Sequence, residues 1–162
     1  MTDVEETIQI PAGVESGQQL QLAGKGHTGL DGGRPGDLYV QFEVKEDERF
    51  HRDGQNLITE LQLSFAQVVL GHEIKLQGID KEYEIVVPKG TQPGQELRVK
   101  NAGLPALRNA RRGDIIAIIQ IDVPKHLNHE QEVAVRALAT AFNEEMPKSS
   151  GHSLLGGLFG KK

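Results

Sequence analysis

Apolar and polar residues alternate with a period of two along most of this chain, and that pattern predicts β-strands. The 19 glycines and 7 prolines divide the pattern into short runs joined by turns, which excludes a fold of long helices. The last strand has isoleucines on both faces, as expected of a strand covered on both sides. The predicted strands cover residues 7–10, 18–22, 38–44, 57–63, 73–76, 83–87, 96–99 and 114–123.

Two segments follow helical rules instead. Residues 64–70 fit one short helical turn that stops at Gly71. Near the C-terminus, Asn128 can cap a helix, and Gln131 stands at the position that completes a capping box. This helix is predicted to end before Pro147. Its apolar residues recur at helical spacing, at Val135, Leu138, Ala139 and Phe142.

The chain repeats itself. Ile8 matches Ile85, and the same offset of 77 positions matches turn-setting prolines and glycines without a gap. Chance matches would be scattered, so the sequence predicts two copies of one small domain. The other identical pairs are Pro11/Pro88, Gly13/Gly90, Gly17/Gly94, Gln18/Gln95, Leu20/Leu97, Gly26/Gly103, Arg34/Arg111, Gly36/Gly113 and Asp37/Asp114.

The second copy is longer at its front. Subtracting 77 from Leu57 gives position −20, so the first copy lacks about two dozen residues at its start. We therefore expect the chain to be the C-terminal piece of a longer protein, since half a domain would leave a sheet edge unpaired. The expected fold is mostly β: two tandem small β-sandwich domains, the first N-terminally truncated, plus a C-terminal helix. The predicted boundaries are 1–50 and 51–126 for the two domains, 127–146 for the helix and 147–162 for a flexible tail.

Composition excludes several classes of function. Lys and Arg number 18 against 23 Asp and Glu, and the net charge of −5 argues against nucleic-acid or anionic-lipid binding, which both need clustered positive charge. There is no cysteine, so disulfides, thiolate metal sites and a cysteine nucleophile are excluded within this chain. Without a membrane-span pattern or a signal peptide, the predicted location is cytoplasmic and no membrane partner is expected.

Catalytic and cofactor motifs are equally weak. The segment from Gly24 to Gly29 spells GxGxxG, but a turn and a strand follow it, whereas pyrophosphate binding needs a helix there. His126 and His129 are closely spaced, yet the sequence offers no further ligands for a metal. No paired acid and base or nucleophile elbow is present, so we predict no enzyme and no cofactor. Sheet edges, apolar strand faces and an amphipathic helix remain, which are features of a polypeptide-binding module.

Seven segments closely resemble the C-terminal region of DnaJ-type co-chaperones, in family order between about residues 7 and 142. They are TIQIPAGVESG at 7–17, AGKGH at 23–27, GGRPGDLYV at 32–40, FHRDGQNL at 50–57, LSFAQVVLG at 63–71, PKGTQPGQ at 88–95 and RGD at 112–114. The resemblance implies two similar β-sandwich domains followed by a short dimerising helix.

The family's J domain with its His-Pro-Asp triplet, its Gly/Phe linker and its four-fold Cys-x-x-Cys-x-Gly-x-Gly zinc region are absent from this sequence. Zinc would therefore be bound only by a region upstream of this chain. A DnaK-type chaperone would be bound through family regions that this sequence does not contain. A zinc-free relative of the curved-DNA-binding type would also lack cysteines, so both subtypes stay open. A nucleoid-associated DNA-binding relative is the alternative function, against which the net charge argues.

The resemblance also implies a client site, where an extended apolar stretch of a non-native polypeptide adds along a strand edge. Val40 is the position carried over from the family, and Leu38 lies on the same strand. The 77-residue offset makes Ala117 the counterpart of Val40, while Leu61 and Leu76 lie on strands equivalent to the absent ones. These five residues are the predicted client-binding set.

The terminal helix is expected to form a homodimer through Val135, Leu138 and Phe142, by family analogy and because of its apolar stripe. Packing of the helix on its own β-domain is the open alternative. Two weak client sites on one dimer would hold an extended chain longer than one site does.

Overall fold

The structure is a computed structural model that describes residues 5–27, 33–107 and 111–146. It is mostly β, as predicted, and the predicted tail at 147–162 and the end of the GxGxxG segment lie outside the described residues. The strands are β1 Gln19–Leu22, β2 Leu38–Gln41, β3 His51–Asp53, β4 Asn56–Ser64, β5 His72–Gln77, β6 Glu82–Val87, β7 Glu96–Val99 and β8 Ile115–Asp122, and the helices are α1 Phe65–Leu70 and α2 His129–Ala141.

The second copy is built on a four-stranded sheet with the strand order β3-β4-β8-β7. Strands β4 and β8 are parallel, and the other two pairings are antiparallel. The four-stranded sheet contributes to two apolar clusters. The two-stranded sheet β5–β6 supplies further members of these clusters, namely Leu76, Tyr83, Ile74 and Val87. Their buried members are Phe50, Leu57, Ala102 and Ile115 in the first cluster, and Leu63, Val68, Val87 and Ile119 in the second.

The 77-residue offset recurs in the strand pairing and in the turn hydrogen bonds. Leu20 faces Val40 across β1 and β2, and Leu97 faces Ala117 across β7 and β8, so both pairs of strands keep the 77-residue register. The backbone N–H of Gly17 donates to Phe42 at 2.8 Å, as that of Gly94 donates to Ile119 at 2.7 Å. Both glycines have a φ near +80°, which an L side chain rarely adopts, and this explains why the repeat retains them.

The predicted strand at residues 7–10 is wrong, because this segment has no strand pairing. Its equivalent in the second copy is β6, which is paired residue by residue with β5. A strand exists through its hydrogen-bonded ladder, and alternation alone does not form one. The strand predicted at 38–44 likewise shortens to β2.

Both predicted helices are confirmed, with their caps. Ser64 Oγ accepts from the Gln67 N–H at 3.2 Å, and Gln67 Oε1 accepts from the Ser64 N–H at 2.9 Å. Helix α1 stops at Gly71, whose φ of 80° suits glycine. Asn128 and Gln131 form the same reciprocal box at the start of α2, with distances of 2.8 and 2.9 Å. These boxes satisfy N–H groups that a helix start leaves without partners.

The chain divides into two compact units, the first ending at Asp122 and the second beginning at Val123. The first unit holds both copies of the repeat, and α2 belongs to the second unit. The predicted domain boundaries at 50/51 and 126/127 stay predictions. No helix within the described ranges is long and apolar enough to cross a membrane.

Candidate polypeptide-binding site

An apolar groove lies where the first copy meets the second. It is an open groove of about 1360 Å³ between the 13–16 turn, the segment 44–49 that leads out of the first copy, and strands β3, β4 and β5. Leu76 is the predicted client-binding residue that lines it. The other apolar lining residues include Val14, Val44, Phe50, Leu57, Ile79 and Leu104.

Arg52 holds the two sides of this groove together. Its guanidinium donates to the carbonyl oxygens of Val14 at 2.8 Å and Gly13 at 3.1 Å in the first copy, and to that of Gly54 at 2.9 Å in its own hairpin. Gly13 also approaches the second copy so closely that an added Cβ would overlap the Pro105 carbonyl oxygen. This junction cannot be predicted from local sequence patterns, because Arg52 and Val14 are 38 positions apart and only the fold brings them together.

The segment between the copies is ordered by its own charges. Arg49 donates to both carboxylate oxygens of Asp47, at 2.9 and 2.7 Å, and its guanidinium lies 5.3 Å from the centre of the Phe50 ring. Hydrogen bonding from Arg49 lowers the pKa of Asp47 to about 2. The groove is thus bordered by a fixed turn beside a buried phenylalanine.

Two strand edges next to the groove are free. Strand β3 pairs with β4 only from Asn56 to Ile58, so the stretch of β4 beyond has no strand neighbour on that side within the described residues. Among the strands that the structure describes, β5 is hydrogen-bonded only to β6. A free strand edge presents unpaired N–H and C=O groups, which can bind another extended chain.

The predicted second-domain residues do not form one cluster. Leu76 packs against the cluster of Leu57 and Ile115, whereas Leu61 packs against the cluster of Ile119. Ala117 lies between these clusters on β8, pairs with Thr59 and Leu97, and has no exposed surface.

The predicted first-copy residues lie on a separate surface. Leu38 and Val40 face Leu22 and Leu20 across the two-stranded sheet β1–β2, and neither lines the groove. Leu38 is 39% exposed, and none of the described residues before Phe50 is buried. The apolar face of this small sheet is therefore uncovered in the described structure.

A polar network fixes the turn that carries Ile79 in the groove wall. Arg112 donates to Asp80 at 2.6 Å and, through two nitrogens, to the Gly103 carbonyl at 2.9 and 2.8 Å. The Tyr83 hydroxyl donates to Asp80 at 2.9 Å. The hydrogen bond from Arg112 lowers the pKa of Asp80 to about 2, and burial together with Asp80 raises that of Tyr83. The network was not predicted from the sequence, because Asp80 and Arg112 are 32 positions apart and only the fold brings them together.

The three predicted dimerisation residues are exposed. Val135 and Leu138 on α2 and Phe142 at its C-cap keep 50, 40 and 60% of their surface accessible. Within the described part of the chain, no group of His, Cys, Asp or Glu side chains is arranged to hold a metal ion.

The described structure thus combines a repeated β unit, a groove where its two copies meet and strand edges without a strand neighbour, which together place it among β-rich modules with a repeated unit. The family model described as the DnaJ C terminal domain matches residues 2–124. The chain therefore belongs to the DnaJ C-terminal domain family.

Individual relatives agree with this assignment. The chain is 39% identical to a chaperone protein DnaJ of Thermosynechococcus vestitus, over 94% of this chain and 41% of that protein. It is 40% identical to that of Acaryochloris marina, over 95% and 41%, and 39% identical to that of Lacticaseibacillus casei, over 89% and 37%. The chain thus spans about two fifths of the length of these curated relatives.

Proposed function

We propose that this chain binds non-native polypeptides in an extended form, as the client-binding part of a DnaJ-type co-chaperone. The observation that supports this most directly is the free edge of β5 with Leu76 beside it in an apolar groove. Main-chain hydrogen bonds to a strand edge accept many sequences, and an apolar pocket then selects large apolar side chains. Binding of this kind involves no catalysis.

Each predicted residue has a distinct part in this proposal. Leu76 contacts the client in the groove, and Leu61 does so further along the free edge of β4. Ala117 is buried, so it shapes the floor between the two core clusters and leaves client contact to its neighbours. Leu38 and Val40 offer a second surface on the uncovered face of β1–β2.

Partners and assembly are part of the same proposal. The exposed stripe of Val135, Leu138 and Phe142 would join two chains into a homodimer. Two binding surfaces per chain then become four per particle, which raises the avidity for a long unfolded client. Cooperation with a DnaK-type chaperone is proposed for the longer proteins of this family.

Two-dimensional NMR of the whole chain during titration with an extended apolar peptide tests the proposal. We expect shifts at residues 59–76 and around Ala117, or at residues 38–44 if the first copy binds. Leu76→Ala should weaken binding about tenfold, the size expected when a buried apolar contact is truncated. Val86→Ala is the matched control, because Val86 lies on β6 and is 65% exposed. A dispersed spectrum without any shift would overturn the proposal.

A further inference from the structure

Arg52 is placed differently from the other arginines whose contacts are described above. Arg49 and Arg112 bond to groups of their own copy, whereas Arg52 bonds to both copies at once. Its Nε donates to Gly54 in the β3–β4 hairpin, and its two terminal nitrogens donate to Val14 and Gly13 in the first copy.

The chemistry of the guanidinium suits this junction. It is planar and always charged, and its donors form a rigid fork, so three carbonyl acceptors in fixed directions define one orientation. Glu15 of the first copy adds an ion pair at 3.5 Å. A lysine ammonium on a flexible stem would keep the charge but could not reproduce the fork.

A second contact supports the same orientation. Gly13 has a φ of +81°, and its α-carbon packs directly against the carbonyl oxygen of Pro105 in the second copy. The turn that accepts the Arg52 hydrogen bonds is therefore the turn that touches the 104–106 loop. The covalent connection between the copies is the segment 44–49, which the Arg49–Asp47 ion pair orders, and the Arg52 hydrogen bonds join the 13–16 turn to the second copy beside it.

We propose that Arg52 is the positioning residue that fixes the orientation of the two copies and so sets the geometry between their two client surfaces. These surfaces are the Leu38 and Val40 face of the first copy and the Leu76 groove of the second. The expected effect on client binding rests on the proposed function, whereas the expected effect on the orientation of the two copies does not.

Rigid positioning has a measurable effect on long clients. When one segment of a client is bound, the second surface meets the next segment at an effective concentration set by the geometry between the surfaces. If the angle between the copies is not fixed, the second surface samples many orientations, and its effective concentration for the next client segment falls. We expect Arg52→Ala to weaken binding of a peptide that reaches both surfaces by about tenfold. A short peptide that contacts only the Leu38 and Val40 face should bind as before, because that face lies outside the groove that Arg52 lines.

The experiment compares the whole chain with Arg52→Ala and Arg52→Lys, using Arg98→Ala as the control. Arg98 pairs with Asp114 at 3.3 Å within the second copy, and it makes no bond to the described residues of the first copy. Residual dipolar couplings report the orientation. In the wild-type chain and in Arg98→Ala, both copies should fit one alignment tensor. In both Arg52 variants, the two copies should need separate tensors.

Separate tensors together with a selective loss of long-peptide affinity support the proposal. A single tensor in both Arg52 variants overturns it, as does an equal loss for short and long peptides, which would indicate a merely structural role. If Arg52→Ala does not fold, the same two measurements on Arg52→Lys and Gly13→Ala test the proposal. Gly13→Ala disturbs the junction from the first copy, because the added Cβ would overlap the Pro105 carbonyl oxygen. If the wild-type chain binds neither peptide, the proposed function fails and the tensors alone decide the role of Arg52.

Discussion

Arg112 and Asp80 form an ion pair of 2.6 Å that joins the turn between β5 and β6 to the loop before β8. Because the bond favours the ionised carboxylate, the pKa of Asp80 falls from 3.8 to about 2 in the folded chain. The unfolded chain therefore takes up a proton at a higher pH than the folded chain does. The stabilisation is complete above about pH 4 and is lost as the pH falls through about 2.

We predict that the free energy of unfolding of the wild-type chain falls between about pH 4 and pH 2, and that Asp80→Asn falls less steeply, because asparagine takes up no proton. Asp47, whose pKa Arg49 also lowers to about 2, contributes in the same window. Asp47→Asn is therefore the matched comparison, and the double variant should have the shallowest dependence. Urea unfolding at several pH values measures it, and an unchanged slope in Asp80→Asn would contradict the prediction.

A second prediction concerns the start of α1. Ser64→Ala removes the hydroxyl that accepts from the Gln67 N–H and should lower the free energy of unfolding by about 1 kcal/mol. Ser64→Thr keeps a hydroxyl at the cap and should retain most of the stability. Denaturant midpoints compare the variants, and equal midpoints for Ser64→Ala and the wild-type chain would show that the cap is dispensable.

The centre of the four-stranded mixed sheet should be the most sensitive core position. Ile119 is fully buried between β4 and β7, so Ile119→Ala should cost about 2–5 kcal/mol and Ile119→Val about 0.5–1.5 kcal/mol. Val86→Ala, at an exposed position of β6, should change stability by less than about 0.5 kcal/mol. Thermal and urea unfolding measure the series, and a small effect of Ile119→Ala would place the core elsewhere.

Dimerisation has its own test on α2. If the stripe joins two chains, the double variant Leu138→Gln and Phe142→Gln should halve the mass measured by sedimentation at micromolar concentration, because the apolar contact is lost. Val133→Gln is the control, since Val133 is also exposed but is not one of the stripe residues. A monomeric wild-type chain would favour the alternative in which the helix packs on its own β-domain.

Local patterns predicted most of the elements because their physical causes are local. The alternation around Leu61 reflects one buried and one exposed face of β4, and the caps at Ser64 and Asn128 involve residues only three positions apart. The repeat could be recognised in the sequence because Gly17 and Gly94 occupy backbone conformations that exclude most other residues.

Features that depend on the whole fold could not be predicted from local sequence patterns. Residues 7–10 alternate as a strand should, yet alternation does not supply a neighbouring strand. Ala117 matched Val40 by offset, but β4 covers it, so its exposure differs from that of its counterpart. Arg52 looked like any surface arginine until the fold brought Val14 within 2.8 Å.

The parallel pairing of β4 with β8 has a consequence for biosynthesis. The Asn56 side chain accepts from the Asp114 N–H, 58 positions later, where the two strands begin to pair. Pairings between residues so far apart form late, because the entropy cost of closing a long loop comes before the free energy gained from the contacts. The central sheet cannot form on the ribosome until Asp122 has emerged, and until then β4 and α1 expose the apolar residues that the finished sheet covers. A nascent chain of this family thus resembles, for a time, the unfolded polypeptides that its finished form is proposed to bind.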